Sequence, residues 1–228
     1  MKHSGKARKA AFKLILISFI VVGAVLAIGV VAALIGTAIV AVTPFLAAFW
    51  LLFALFTLYF FRDPNARVPI GANLVLSPAH ATVDVVDATT EPQVMGGECR
   101  RISMFLSVLD VHVQKAPVSG KVTFLKYTAG QFLSALKTES AVHNENVLLG
   151  FEAVEPPGRK LAVRLVAGVL ARRIVPWVEK DDAVVRGERI SMIQFGSRAD
   201  VYLPLDAKIK VKPGDRVVGG ETVLALLE

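Results

Sequence analysis

The sequence predicts a mainly β domain, built from duplicated hairpin units, behind an N-terminal transmembrane helical hairpin. Three observations lead to this fold class. One uncharged apolar run covers residues 14–61, short Val/Ile/Leu segments bounded by Gly, Pro and Asp follow from residue 62, and the C-terminal part contains a near-repeat. Apolar residues make up 54% of the 228-residue chain, more than an ordinary soluble domain carries, and the excess lies almost entirely in that first run.

The apolar run is long enough for two membrane spans, because one span needs about 20 apolar residues. Pro44 cannot continue a preceding helix without a kink, and Thr37 and Thr43 also interrupt the apolar pattern. We therefore expect a turn within residues 36–44 and spans at about 14–35 and 45–61 of a hairpin covering 14–61. A cleaved signal peptide is the alternative, but its apolar core would be only about 7–15 residues long.

Basic residues on both sides of the hairpin set its predicted orientation. Residues 1–13 form a basic N-terminus, and more basic residues follow the second span, which places both ends in the cytoplasm. The residues concerned are Lys2, Lys6, Arg8, Lys9 and Lys13 before the run, and Arg62 and Arg67 after it. We expect the cell membrane as the location, with the domain of residues 62–228 on its cytoplasmic face.

Charge and cysteine content exclude several kinds of site and partner. Cys99 is the one cysteine, so an intramolecular disulfide framework and a multi-cysteine metal site are both impossible, in keeping with a reducing compartment. The net charge of +7 suits a domain that rests on anionic lipid. Nucleic acid is not an expected partner, because the basic residues are scattered and no nucleic-acid fold signature is present.

Seven short segments after residue 62 have the composition of β-strands, and two have weak helical character. The strands are predicted at 73–76, 82–87, 101–106, 120–127, 147–151, 161–166 and 189–193, and the helices at 169–173 and within 131–137.

A near-repeat supports a duplicated architecture. Residues 178–190 align with residues 211–223 at a constant offset, and Asp182/Asp215, Val184/Val217 and Gly187/Gly220 are among the positions that coincide. Each copy reads as a turn, a short strand, a Gly-Glu turn and another strand, with glycine supplying a positive φ. Two copies are too few for a solenoid, so a barrel-sandwich-like fold or small barrel is predicted. A lipoyl-like carrier is disfavoured, because neither repeat presents a lysine at the tip of its turn, where the copies read Val-Val-Arg-Gly and Val-Val-Gly-Gly.

Chemistry-bearing residues are few, and the pattern alone leaves the site open. Among four histidines, His112 stands out because it ends an apparent buried strand, residues 102–112, in which alternation puts Asp110 and His112 on one face. Phe195-Gly196-Ser197-Arg198 lies between the two repeat copies, where a plain loop is the simpler reading. The sequence contains no nucleophile elbow, phosphate-binding loop, dinucleotide fingerprint or metal-ligand cluster.

Six ordered blocks give the chain a specific resemblance. The blocks are Phe60-Phe-Arg-Asp-Pro64, Ser77-Pro-Ala79, Phe105-Leu-Ser-Val-Leu-Asp-Val-His-Val-Gln-Lys-Ala-Pro-Val-Ser-Gly-Lys-Val122, Asn144-Glu145, Ala167-Gly-Val-Leu-Ala-Arg-Arg-Ile-Val175 and Phe195-Gly-Ser-Arg-Ala-Asp-Val-Tyr-Leu-Pro204. On these blocks the chain resembles the short bacterial and archaeal phosphatidylserine decarboxylases from about residue 60 to at least residue 204.

The resemblance implies a proenzyme that cuts itself between Gly196 and Ser197. Residues 1–196 would then be the large chain and 197–228 the small chain, and the two would stay associated. Ser197 would become a covalent pyruvoyl group that forms a Schiff base with the amine of phosphatidylserine, without metal or pyridoxal phosphate. His112 matches the family's catalytic histidine. The implied reaction is decarboxylation of phosphatidylserine to phosphatidylethanolamine.

Two departures from the family pattern leave an alternative open. The family block Ser-Pro-Ala-Asp-Gly reads Ser77-Pro-Ala-His80-Ala81 here, and the second histidine of longer relatives is replaced by Lys115. His80 is therefore a tentative site residue that could replace the aspartate as a base. The alternative is a maturation-deficient pseudoenzyme that binds anionic phospholipid.

Three further residues carry thinner expectations. Arg172 and Arg173 could pair with a lipid phosphate, since arginine binds phosphate bidentately, although a solvated strand edge explains them equally well. His143, beside Asn144-Glu145, is as readily a loop residue as a substrate ligand.

Overall fold

The computed structural model describes residues 5–33, 37–133, 143–168, 173–194 and 197–228. These residues form two compact units, one from Gly5 to Asp63 and one from Pro64 to Glu228. The first unit is helical and the second is a β domain, which confirms the predicted fold class.

The helical unit is a hairpin of α1 (Lys6–Ala33) and α2 (Thr37–Phe60). The two helices pack through Trp50, whose indole N–H donates to the Ser18 hydroxyl at 3.0 Å and whose ring meets Phe19 edge-on at 5.3 Å. Large apolar side chains such as Phe45, which is 74% exposed, cover its outside. Both helices are long and apolar enough to cross a membrane.

The hairpin turn differs from the predicted one. Helix α2 begins at Thr37, so the connection is shorter than the expected 36–44, and Pro44 lies inside the helix. Proline costs one intrahelical hydrogen bond, but neighbouring groups can compensate for that loss in apolar helices of membrane-spanning length.

The β domain contains fourteen strands among the residues that the structure describes. They are β1 (Leu74–Leu76), β2 (Ala81–Glu91), β3 (Gly97–Leu106), β4 (Val113–Lys115), β5 (Gly120–Thr128), β6 (Asn146–Ala153), β7 (Lys160–Ala167), β8 (Arg173–Pro176), β9 (Ala183–Val184), β10 (Arg189–Gln194), β11 (Ser197–Leu203), β12 (Lys208–Ile209), β13 (Arg216–Val217) and β14 (Val223–Leu226).

The strands form one large sheet and two small ones, all with antiparallel neighbours. The large sheet has the order β13-β2-β3-β11-β7-β6-β5-β9, and the small sheets have the orders β1-β14-β12 and β4-β10-β8. One apolar core lies beneath the large sheet, and Ala199, Val201 and Leu203 of β11 belong to it. Strand β11 is buried along its whole length between β3 and β7.

All seven predicted strands are present, but the predicted helix at 169–173 is wrong where it can be checked, because Arg173 begins β8. In the range of the second predicted helix, residues 131–133 are not helical. The other residues of these two predictions, 169–172 and 134–137, lie outside the described residues. The predicted strand 102–112 ends at Leu106, after which residues 107–112 form a turn.

The near-repeat forms two equivalent turn units. In the first, the Asp182 carboxylate accepts from the Glu179 amide at 2.9 Å, and in the second Asp215 accepts from Lys212 at the same distance. Gly187 has a φ of 80° and its counterpart Gly220 a φ of 77°, a conformation that L side chains rarely adopt.

The duplication extends further than the sequence repeat. Strand β1 pairs with β14 as β4 pairs with β10, and the small sheets correspond strand for strand. The two copies exchange backbone hydrogen bonds: the Leu76 amide donates to the Pro117 carbonyl at 2.9 Å, and the Lys115 amide donates to the Pro78 carbonyl at 2.8 Å. The segments that precede β2 and β5 are therefore counterparts, although their sequences share little.

Candidate active site

Ser197 is a buried serine at the first position of the central strand β11. It pairs with Leu106 of β3 on one side and Ala167 of β7 on the other. Its side chain is fully buried, and its hydroxyl has no hydrogen-bond partner among the residues that the structure describes. A buried hydroxyl without a partner costs about 1–3 kcal/mol, so such a group calls for a chemical explanation.

His112 lies beside the chain segment that leads to Ser197. Its carbonyl accepts from the amide of Ile193 at 3.1 Å, and Ile193 and Ser197 are separated by at most about 14 Å of extended chain. From the other direction, Leu106, the register partner of Ser197, begins the turn that ends at His112. The structure therefore brings His112 and Ser197 to the same end of the large sheet.

The ring of His112 is held in one orientation by the backbone. Its Nδ1 lies 2.8 Å from the carbonyl oxygen of Asp110. Because a carbonyl oxygen can only accept, Nδ1 carries the hydrogen, and Nε2 is the nitrogen that takes up or releases a proton. The ring is buried, at 1% exposure.

Asp110 stabilises this turn, and this role replaces the predicted one. Asp110 and His112 do not share a strand face, because the strand has already ended. Instead the Asp110 carboxylate accepts from the Ser107 amide at 2.8 Å and closes the turn. It thereby fixes the carbonyl that holds the imidazole of His112.

Arg216 of β13 neutralises the buried Asp110 carboxylate. Its two terminal nitrogens lie 2.5 and 3.3 Å from the two carboxylate oxygens, and one of them also donates to the Thr82 hydroxyl at 3.1 Å. Burial by itself raises the pKa of Asp110. Hydrogen bonds from Arg216 and Ser107 outweigh burial and hold that pKa below its ordinary value. The carboxylate is thus charged at neutral pH.

His80 has a structural contact that the sequence did not reveal. Its Nδ1 accepts from the Gly219 amide at 3.3 Å. At the equivalent place in the other copy, the Ser119 hydroxyl accepts from the Arg186 amide at 3.0 Å. His80 and Ser119 thus accept the corresponding backbone hydrogen bond in the two repeat turns.

The position of His80 also separates it from Ser197. Strands β2 and β11 are separated by β3, so the segment that carries His80 lies two strand spacings, about 10 Å, from that of Ser197. Because Nδ1 accepts a hydrogen bond, a neutral His80 carries its proton on Nε2.

Asn144 and Glu145 support the other side of Ser197. The Asn144 side-chain amide donates to the Ala167 carbonyl at 2.7 Å, and Ala167 is the register partner of Ser197. Glu145 accepts from the Tyr127 hydroxyl at 3.1 Å, which raises the pKa of that tyrosine. These two residues form the fourth block of the resemblance, and their contacts give that block a structural reason.

Arg198 follows Ser197 in β11, and its side chain is held by hydrogen bonds on the opposite face of the sheet. Its guanidinium is fully buried, pairs with both carboxylate oxygens of Asp84 and donates to the Ser103 hydroxyl at 2.6 Å. This arrangement anchors the start of β11 even if the chain before it is cut.

The remaining sequence-predicted residues divide into two groups. Gly196 and Arg172 lie outside the described residues. Arg173 is exposed and pairs in register with Gln194, three residues before Ser197. His143 is exposed, and its carbonyl accepts from the Gln131 amide at 2.8 Å.

Sequence reasoning missed Arg216, although a signal was present. Arg216 corresponds to Ala183 in the other repeat copy, so the copies differ at this position. A charged residue in only one copy of a duplicated unit is a sign that this copy has a further contact.

The arrangement supports acyl chemistry at a serine. A buried hydroxyl at a strand start and an oriented imidazole at the same sheet end are the groups that nucleophilic attack needs. Within the described ranges, no three His, Cys, Asp or Glu side chains are grouped as a metal site.

The comparisons with known proteins agree on one family. The family described as phosphatidylserine decarboxylase matches residues 53–225. The chain is 44% identical over 175 residues to the phosphatidylserine decarboxylase proenzyme of Desulfotalea psychrophila, covering 77% of this chain and 81% of the relative. It is 43% identical over 206 residues to that of Symbiobacterium thermophilum, covering 90% and 92%, and 46% identical over 178 residues to that of Gluconobacter oxydans, covering 77% and 78%.

Proposed function

Because this chain belongs to the phosphatidylserine decarboxylase family and is thus a decarboxylase, we propose that it matures by cutting itself between Gly196 and Ser197 and then converts phosphatidylserine to phosphatidylethanolamine. The observation that carries the proposal is the buried Ser197 hydroxyl with no partner among the described residues, at the position where the family motif has its serine.

Self-cleavage follows from the chemistry of Ser197. Its hydroxyl attacks the carbonyl of Gly196, and the acyl group moves from nitrogen to oxygen. Elimination from the resulting ester releases Gly196 as a carboxylate and leaves dehydroalanine at residue 197. Hydrolysis of the imine tautomer of that residue then releases ammonia and leaves a ketone. Gly196 has no Cβ to obstruct the attack. His112 is suited to take the hydroxyl proton at Nε2, since its Nδ1 hydrogen is committed to the Asp110 carbonyl.

The residues around Ser197 fit a covalent pyruvoyl group. The strand start is buried, the neighbouring Leu106 and Ala167 are apolar, and Arg198 and Asn144 hold the strands on either side. The pyruvoyl group supplies an electron sink for loss of carbon dioxide, the part that pyridoxal phosphate plays elsewhere. His112 then holds the proton that replaces the lost carboxyl group.

The small chain has a structural reason to remain bound after cleavage. Residues 197–228 supply β11 to the middle of the large sheet, β13 to its edge and β14 to the middle of a small sheet. Arg216 of the small chain also pairs with Asp110 of the large chain. The two chains therefore share one core and one ion pair beside His112.

The apolar hairpin suits a substrate that stays in the bilayer. We propose that α1 and α2 span the cell membrane, with residues 1–13 and the β domain on the cytoplasmic side. The basic segment from Lys6 to Lys13 and the basic residues after α2 support this orientation.

A maturation-deficient pseudoenzyme is the alternative. Its motivation was His80 in place of the family aspartate. In this structure His80 accepts a backbone hydrogen bond in a repeat turn, and an aspartate carboxylate could also accept such a bond. That contact favours the active enzyme.

Mass spectrometry of the purified full chain tests the proposal. We expect a fragment that begins at residue 197 and is blocked by pyruvate, in place of the intact 24.5 kDa chain. Ser197→Ala should leave the chain intact. Ser191→Ala is the matched control, because Ser191 is equally buried but its hydroxyl donates to the Val175 carbonyl. An intact wild-type chain, or cleavage in Ser197→Ala, would refute the proposal.

A further inference from the structure

Four large apolar side chains are exposed at the end of the large sheet where β11 begins. They are Leu109, Tyr127, Phe132 and Leu133, with exposures of 61%, 53%, 41% and 42%. We call these four residues the apolar rim. Leu109 lies in the turn after β3, and the other three lie at the end of β5 and just beyond it.

The rim flanks Ser197 on both sides. Leu109 adjoins Asp110, in the turn between Leu106 and His112. On the other side, the Asn144 side chain bonds to both the amide and the carbonyl of Leu133 at 2.9 Å, and the same side chain bonds to the Ala167 carbonyl beside Ser197. Leu133 is therefore fixed relative to the strand that pairs with Ser197.

Two exposed arginines lie near the rim, and the carboxylates beside it, Asp110 and Glu145, are buried. Arg216 neutralises Asp110. Arg173 is exposed and lies opposite Gln194, and the Arg216 side chain is 62% exposed beside the turn of Leu109. The opposite end of the sheet also exposes apolar side chains, Val154 at 61% and Leu205 at 48%, and there acidic residues such as Asp206 are mixed with basic ones such as Arg159.

Exposed apolar groups combined with basic side chains suit an anionic bilayer. We propose that the apolar rim inserts into the acyl region of an anionic membrane, with Arg173 and Arg216 at headgroup level, so that the end of the sheet where Ser197 lies faces the lipid surface. This inference rests on the proposed function, because a membrane-bound substrate is the reason for that end of the sheet to face lipid.

The buried cysteine allows a direct test in the full chain. Cys99 is fully buried, so single cysteines can be labelled with an environment-sensitive NBD fluorophore in Leu109→Cys and Phe132→Cys, and in the matched controls Val154→Cys and Leu205→Cys. Unsubstituted protein treated with the same reagent reports any labelling of Cys99. Each variant is placed, one chain per disc, in nanodiscs of phosphatidylcholine and phosphatidylglycerol that carry an acyl-chain spin label.

The spin label should quench the fluorophore at positions 109 and 132 and leave positions 154 and 205 unquenched, since interfacial segments lie about 5–10 Å into the headgroup and acyl boundary. Equal quenching at all four positions, or none at 109 and 132, would overturn the proposal. If the fluorophores at positions 109 and 132 enter an apolar environment only when two chains share a disc, the rim contacts a second copy. That result would also overturn the proposal.

An activity comparison adds a second readout. Leu109→Asn combined with Phe132→Asn should lower decarboxylation of phosphatidylserine in vesicles more than decarboxylation of a dispersed short-chain phosphatidylserine. Val154→Asn combined with Leu205→Asn should leave that ratio unchanged. The quenching measurement needs no turnover and the cleavage measurement needs no vesicle, so failure of the rim and failure of the proposed function give different results.

Discussion

Arg216→Gln tests whether the Asp110 turn depends on its ion pair. The Asp110 carboxylate is 5% exposed, so loss of the guanidinium leaves a buried charge that is supported by the Ser107 amide. Hydrogen bonds to charged groups contribute about 1.5–3 kcal/mol. Because the Arg216 side chain is 62% exposed, solvent screening reduces the expected loss to about 1–2 kcal/mol. For a chain of this size that loss lowers the midpoint of thermal unfolding by about 2–8 °C.

The pH dependence separates this ion pair from a packing effect. The pKa of Asp110 is lower in the folded chain than in the unfolded chain. Its contribution to stability is therefore fully present above the unfolded pKa of about 3.9 and is lost as the pH falls through the lower folded pKa. The difference in melting temperature between wild type and Arg216→Gln should be full at pH 7 and shrink below about pH 4.

The assay is thermal unfolding of the purified full chain in detergent at one scan rate, with self-cleavage followed on denaturing gels. Arg159→Gln is the matched control, because its partner Asp206 is 52% exposed, and exposed pairs of this kind contribute little. We also expect slower self-cleavage in Arg216→Gln, since the loosened turn no longer fixes His112. Equal melting temperatures in wild type and Arg216→Gln, or an equal loss in Arg159→Gln, would refute the reasoning.

Three further predictions follow from single contacts. His80→Asp with Ala81→Gly should change the rate of self-cleavage and not its occurrence, because histidine and aspartate can both accept a hydrogen bond from the amide of the turn. Cleavage that appears only in the double variant would contradict this prediction. Gly120→Ala should destabilise the chain by more than about 2 kcal/mol, since its Cβ would lie 2.1 Å from a carbonyl oxygen of β6, whereas Gly97→Ala meets nothing within 4 Å and should unfold like wild type. Cys99 should react with a thiol reagent only after unfolding, because burial raises its pKa and makes its sulfur inaccessible. If the folded chain reacts as fast as an exposed thiol does, Cys99 is not buried.

The hairpin and most strands could be predicted from local sequence. The run from 14 to 61 lacks charge, and Val/Ile/Leu segments between Gly, Pro and Asp favour extended structure whatever lies around them. The turn near residues 107–112 could not be predicted in this way. Its apolar residues match a strand pattern, and the turn forms because the Asp110 carboxylate accepts from Ser107 and pairs with Arg216, more than one hundred positions away.

The duplication shows the same division. Residues 178–190 and 211–223 share enough identical positions for the repeat to be found by alignment. The matching segments immediately before β2 and β5 share Pro78 and Pro117, so their equivalence follows only from backbone hydrogen bonds such as those of Leu76 and Lys115. Backbone geometry tolerates many side chains, and for this reason His80 can serve where the other copy has Ser119.

The sequence by itself determined the membrane-sized hairpin, the β class and the family, and it predicted Ser197 and His112 as site residues, because each depends on local composition or on a contiguous motif. Only the tertiary structure decided how these residues are supported. It pairs Arg216 with Asp110, and it joins the Asn144 side chain to the Ala167 carbonyl beside Ser197. It also brings the exposed Leu109 and Leu133 to opposite sides of the start of β11. Such contacts join residues far apart in the chain, and their free energy depends on burial and on the direction of each hydrogen bond, which the order of the amino acids does not display.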